Sequence, residues 1–82
     1  MIAITVLFLG PAKDLTKAES ASLEIGVGMT VGEARRAIAE RFPRLGRGLD
    51  RMRLAVNEEF VAETRVLRAG DELAVVPPVS GG

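Results

Sequence analysis

The sequence predicts an α+β sandwich of two layers, with one amphipathic helix packed on a mixed sheet of five strands. Three observations carry that prediction. Only residues 30–42 combine helical apolar spacing with a start and a stop signal. Five short apolar runs, 2–9, 21–25, 52–56, 60–61 and 72–76, have the length of strands. Turn residues separate them: Gly10-Pro11, Gly26-Val27-Gly28, Asn57-Glu58-Glu59 and Gly70-Asp71. A helix with one apolar stripe and a sheet with one apolar face bury each other, which gives the two layers.

Along the chain, Ile2, Ile4, Val6 and Phe8 share the inner face of the first strand. Ala3, Thr5, Leu7 and Leu9 share the other, and its two leucines exceed what a solvent face needs. Pro11 suits the first position of a short helix over 11–17. Residues 21–25 form a second strand. Thr30-Val31-Gly32-Glu33 has the form of a capping box, in which each side chain bonds the other's backbone amide. The helix it opens carries Val31, Ala34, Ile38 and Phe42 on one face, with Arg35, Arg36, Glu40 and Arg41 toward solvent, and Pro43 ends it. Residues 43–51 read as loop with a turn of helix near Leu49. Met52, Leu54 and Val56 point inward from the third strand, and Phe60-Val61 is a short fourth. Gly70 takes positive φ in the turn before the last strand, where Leu73 and Val75 oppose Glu72, Ala74 and Val76.

Composition removes most chemistry. Eighty-two residues make one domain, and 48% hydrophobic with 27% charged residues is an ordinary globular balance. Eleven basic residues match eleven acidic ones, which argues against a general nucleic-acid binder. Without Cys there is no thiolate nucleophile or disulfide, and without His the commonest general base and metal ligand are gone. Residues 1–9 lack the basic start and cleavage site of a signal peptide and are too short to span a bilayer, so a cytoplasmic location is expected.

Gly26, Gly28 and Gly32 do not have the spacing of a phosphate-binding fingerprint. Glu58 and Glu59 solvate a hairpin tip. Arg41, Arg44, Arg47, Arg51 and Arg53 form a cluster with Glu40 and Asp50 among them. It reads as a solvated helix end or as a docking surface for an acidic partner.

The ending Pro77-Pro78-Val79-Ser80-Gly81-Gly82 stands apart from this body. Two prolines hold an extended path, and two glycines leave a thin tip without side chains. That suits a terminus that enters a narrow channel. The division expected is a folded domain over 1–76 and a flexible extended tail over 77–82. With other chemistry removed, the terminal carboxylate of Gly82 is the best remaining reactive group. It becomes an acyl donor only when activated, and no nucleotide motif here could do that.

Leu54-Ala55-Val56-Asn57-Glu58, Leu67-x-x-Gly70-Asp71-Glu72-Leu73-Ala74 and the Pro-Pro-Val-Ser-Gly-Gly ending, supported by Val6-Leu7-Phe8 and Ala12-Lys13-Asp14-Leu15, resemble the small subunits of molybdopterin synthase. These are ubiquitin-like sulfur carriers of the ThiS/MoaD family. The resemblance covers nearly all of the chain, although 18–50 adds only length and order. It implies a β-grasp fold and a carrier that is not an enzyme on its own. It implies that Gly82 is adenylated by an E1-like adenylyltransferase using ATP and Mg, while this chain binds no cofactor or metal itself. A sulfur donor such as a cysteine desulfurase system then supplies a thiocarboxylate. Pro77, Pro78, Val79, Ser80 and Gly81 thread into the large subunit of a heterotetramer, where sulfur passes to cyclic pyranopterin monophosphate in molybdenum cofactor biosynthesis. By position the family's apolar docking patch falls on Leu9, Phe60 and Val76, which could otherwise simply cap a small core. Neither DNA nor a membrane is an expected partner. The alternatives are a carrier for thiamin thiazole synthesis or another sulfur recipient, and a non-catalytic protein or RNA interaction module.

Overall fold

The computed structural model describes residues 1–78. Its most apolar alternation, Ile4, Val6 and Phe8, is taken into the sheet by β1 (Ile2–Phe8). After α1 (Pro11–Thr16), β2 (Ser20–Ile25) returns antiparallel to β1. The main helix α2 (Val31–Arg41) follows, then a 3₁₀ segment (Pro43–Arg51), β3 (Arg53–Val56), β4 (Glu59–Phe60) and β5 (Glu72–Val76). The strand order is β2-β1-β5-β3-β4. Among the described residues only the β1–β5 pair is parallel, and it sets the last strand beside the first. This is the ubiquitin-like β-grasp arrangement.

The helix starts where its sequence says it should. Thr30 Oγ1 accepts from the Glu33 amide at 3.2 Å, and the Thr30 amide donates to Glu33 Oε1 at 3.0 Å. Two of the orphan amides of the first turn are thereby satisfied. Val31, Ala34 and Ile38 are fully buried against the inner face of the sheet. At its far end the Phe42 ring meets the edge of Phe8, with centroids 4.8 Å apart.

Three expectations need correction. Residues 43–51 do turn helically near Leu49, but the rest is not loop: they are two short 3₁₀ stretches joined at Gly46, whose φ of 56° breaks the helical path. Leu45 and Leu49, one on each side of that break, are both buried and pin the segment to the core. The fourth strand lies one residue earlier than 60–61. Asn57 and Glu58 both take positive φ, 50° and 71°, as a two-residue hairpin turn requires, so Val56 pairs with Glu59 and Ala55 with Phe60. Arg35 does not reach into solvent. Its Nε and one terminal nitrogen make a two-pronged contact with the Glu63 carboxylate, at 2.9 and 3.1 Å. The other terminal nitrogen donates to the carbonyls of Leu49 and Met52. One guanidinium thus joins α2, the 3₁₀ segment and the chain after β4.

Candidate functional site

Strand parity builds the outer face of the sheet. Leu7 on β1 lies beside Ala74 on β5, Ala74 beside Ala55 on β3, and Ala55 beside Phe60 on β4. In the next row, the Leu9 amide donates to the Val75 carbonyl at 3.3 Å, so Leu9 continues along β5 toward Val76. Val76 pairs in turn with Arg53. Leu9, Val76 and Phe60 therefore share one face. Leu9 is 44% and Phe60 53% exposed, while Val76 is half-buried. The residues between them, Ala55 and Ala74, are small. The result is an apolar strip with low side chains at its centre and larger ones at its ends.

A feature that periodicity did not reveal holds one end of the strip. The Arg53 guanidinium lies over the Phe60 ring, 3.6 Å from its centroid. A cation on an aromatic face is attracted by the ring quadrupole. The exposed phenyl ring is thus held from a diagonal position on β3, two residues from its direct partner Ala55. The sequence signal was present, since Arg53 and Phe60 flank a hairpin, but reading it required the observed register.

The root of the tail lies at the edge of this face. β5 ends at Val76, Pro77 is half-buried and Pro78 is exposed. Val79, Ser80, Gly81 and Gly82 lie outside the described residues.

The start of β5 is fixed by a polar cluster that sequence reasoning also missed. Asp71 is buried at 7% exposure. Its Oδ1 accepts from Asn57 Nδ2 at 3.0 Å, and its Oδ2 accepts from the Arg68 amide at 2.8 Å and from Arg65 at 3.1 Å. Burial pushes this carboxyl up, but the Arg68 amide, Asn57 and Arg65 together outweigh it and hold Asp71 below the usual carboxylate range. Gly70 at φ 84° makes the turn before it, and the Gly70 amide donates to Ala3 on β1 at 2.9 Å.

None of this resembles a catalytic centre. A shallow groove of about 470 Å³ at the β4 edge is lined by Arg35, Asp50, Arg53, Phe60 and Glu63, among others. Its Glu63 is drawn below its ordinary range by the hydrogen bonds from Arg35, which makes it a poor general base. Glu58 is in the hairpin turn and both it and Glu59 are exposed. Among the described residues, no three His, Cys, Asp or Glu side chains come together to hold a metal ion. No helix among them is long and apolar enough to cross a membrane. What the described residues do show is an exposed apolar strip on the outer face, beside the root of the tail.

The sequence and the fold are similar to those of known proteins. Residues 6–82 match the model of the ThiS family. The Arabidopsis thaliana molybdopterin synthase sulfur carrier subunit is 32% identical over 81 residues, spanning 99% of this chain and 84% of that protein. The crystal structure of SAMP1 from Haloferax volcanii superposes with a TM-score of 0.88 at 26% identity, covering 98% of this chain and 99% of that one. A chain in the complex of subunits 1 and 2 of the molybdopterin-converting factor from Helicobacter pylori gives a TM-score of 0.73 at 27% identity, over 99% of this chain and all of that one.

Proposed function

The chain belongs to the ThiS family, and on that premise we propose that it is the sulfur-carrier subunit of a molybdopterin synthase. The observation that carries the proposal is the outer face: Leu9, Val76 and Phe60 are brought onto one side of the sheet, beside the point where β5 passes into Pro77. An apolar face beside an emerging tail fits a protein that docks and then inserts its terminus. The family match runs through Gly82, and the similar Helicobacter pylori chain is described in complex with a second subunit.

The chemistry falls on the terminal carboxylate. Its oxygen attacks the α-phosphorus of ATP on an E1-like adenylyltransferase, releasing pyrophosphate and leaving an acyl-adenylate on Gly82. Sulfide-level sulfur then displaces AMP and leaves a thiocarboxylate. Where the donor is a persulfide, as from a cysteine desulfurase system, its outer sulfur displaces AMP to give an acyl disulfide. A thiol reductant cleaves that S–S bond, releasing the thiocarboxylate while the donor leaves as a disulfide. ATP and Mg belong to the activating enzyme, and this chain supplies the acyl group without catalysing the step. Pro77, Pro78, Val79, Ser80 and Gly81 carry the thiocarboxylate into the large subunit, where its sulfur passes to cyclic pyranopterin monophosphate. Water finally returns Gly82 to the carboxylate. Glycines at 81 and 82 leave the reacting carbonyl without a neighbouring side chain.

The test is intact-mass measurement after incubation with the adenylating enzyme, ATP, Mg and a sulfide source. The expected result is the mass gain of one oxygen replaced by sulfur, absent in a chain lacking Gly82. An unchanged mass in the full chain would overturn the reading. Adding the large subunit and the pyranopterin separates this recipient from a thiazole precursor.

A further inference from the structure

Charge is distributed unevenly along this neutral chain. Residues 35–53 hold seven arginines against Glu40 and Asp50, a net charge of +5, so the remainder carries −5. Salt bridges do not account for the excess. Among the described residues, the charged pairs within reach are Lys13–Glu19, Arg35–Glu63 and Arg65–Asp71. Arg41, Arg44, Arg47, Arg51 and Arg53 are all exposed and belong to none of them.

The fold places these five with purpose. Arg41 ends α2 next to Phe42, which packs on Phe8, and Phe8 pairs with Val75 near the end of β5. Arg53, at the other end of the segment, pairs directly with Val76. Both ends of the arginine-bearing stretch are therefore anchored where β5 passes into Pro77. Buried Leu45 and Leu49 hold the stretch between them on the body, which leaves Arg44, Arg47 and Arg51 facing out.

We infer that these arginines form a basic collar at the root of the tail, which docks on an acidic rim around the tail-accepting channel of the adenylating enzyme. The inference rests on the carrier reading above. Three features favour a protein over RNA. The collar is continuous, through Arg53, with the apolar strip that ends at Phe60. The exposed aromatic ring that adjoins the arginines, Phe60, has the Arg53 guanidinium over its face, where a base would have to stack. The six tail residues can span at most about 20 Å, so the collar sits outside any site that the terminus reaches. An acidic rim is thereby compatible with a cationic site for ATP phosphates deeper in. The adenylating enzyme is favoured over the large subunit because, in that reading, the large subunit holds the carrier in a heterotetramer whereas the adenylating enzyme only captures, loads and releases it. Charge steering speeds such an encounter without adding the buried apolar area that slows release.

The experiment compares the full chain with its Arg44→Glu/Arg47→Glu variant, both positions being exposed. Stopped-flow association with the adenylating enzyme is measured across a NaCl series. Thiocarboxylate formation at saturating enzyme is followed by intact mass. Reversal should slow association at low salt by roughly tenfold or more and flatten its salt dependence, with dissociation and the saturated loading rate unchanged. The wild-type chain provides a second check, since its association must slow as salt rises. If wild type loads but matches the variant at every salt, or shows no salt dependence, the collar is overturned alone. If wild type never gains mass, the carrier reading falls and the collar with it. Tight binding of a single-stranded RNA oligonucleotide that the variant loses, with enzyme association unaffected, would overturn the collar in favour of RNA.

Discussion

Asn57 Nδ2 donates to Asp71 Oδ1 at 3.0 Å, joining the β3–β4 hairpin to the turn that launches β5. The same asparagine closes the join from its other side, accepting from the Glu72 amide at 3.0 Å through Oδ1 and donating its own amide to the Glu72 carbonyl at 2.8 Å. Asn57 also sits at φ 50°, where Asn is tolerated better than most residues. One side chain therefore serves the turn and the strand entry together, which sets where β5 begins and hence where the tail leaves.

Asp71→Ala should be among the costliest changes to an exposed-looking loop. It strips the Arg68 amide, Asn57 and Arg65 of a charged acceptor in a site almost closed to water. The expected loss is about 2 kcal/mol, and in a domain of this size that lowers Tm by roughly 10 °C. Thermal unfolding followed by circular dichroism would read it; a shift of a degree or two would mean that water replaces the lost acceptor.

The same carboxylates set the acid limit. Asp71, Glu63, Glu33 and Glu19 all lie below their ordinary range in the folded protein. A depressed folded pKa contributes stability that is fully present above the unfolded value and is lost as pH falls through the folded one. With no His in the chain, no imidazole titration intrudes near neutrality. Stability should stay level from pH 7 down to about pH 5 and then fall continuously through the carboxylate range. Urea midpoints at successive pH values would show this, and Asp71→Asn should make the acid slope shallower. An equal slope in that variant would remove Asp71 from the explanation.

Arg35 tests a different join. Arg35→Ala leaves the carbonyls of Leu49 and Met52 without this donor and releases Glu63. Because Glu63 is half exposed, the ion pair itself contributes little, and most of the expected loss of about 1–2 kcal/mol comes from the two carbonyls. Glu63→Gln should therefore cost much less than Arg35→Ala in urea unfolding. Equal costs would move the weight back to the ion pair.

These joins mark the limit of what the sequence shows. The faces of β1, α2 and β5 were legible because period and capping are local: Thr30 and Glu33 are three residues apart, and Val31, Ala34 and Ile38 repeat within one helix. The 3₁₀ segment was legible only as a turn near Leu49, because Gly46 interrupts the spacing between Leu45 and Leu49. The partners of Arg35 and Asp71 lie far along the chain, and no periodicity brings Glu63 to Arg35 or Asn57 to Asp71. The same distinction divides the candidate site. Parity was enough to turn Leu9 and Val76 outward, whereas the seat of Arg53 on Phe60 depends on a hairpin register set one residue from where propensity put it.

The apolar strip yields the prediction that separates docking from core capping. If Leu9 and Phe60 merely close a small core, truncating either should destabilise the fold. Their exposure, 44% and 53%, argues that little apolar area would be returned to water in the free chain. Leu9→Ala and Phe60→Ala should thus each change stability by no more than about 0.5–1 kcal/mol, the larger value for Phe60 because it also frees Arg53. Binding to the synthase large subunit should suffer far more. A large apolar anchor that becomes fully desolvated in an interface costs about 2 kcal/mol or more on truncation, roughly a thirtyfold rise in Kd. Calorimetric titration of each variant against the large subunit, paired with its urea midpoint, compares the two quantities directly. Affinity held at the wild-type value alongside a clear loss of stability would return both residues to the core.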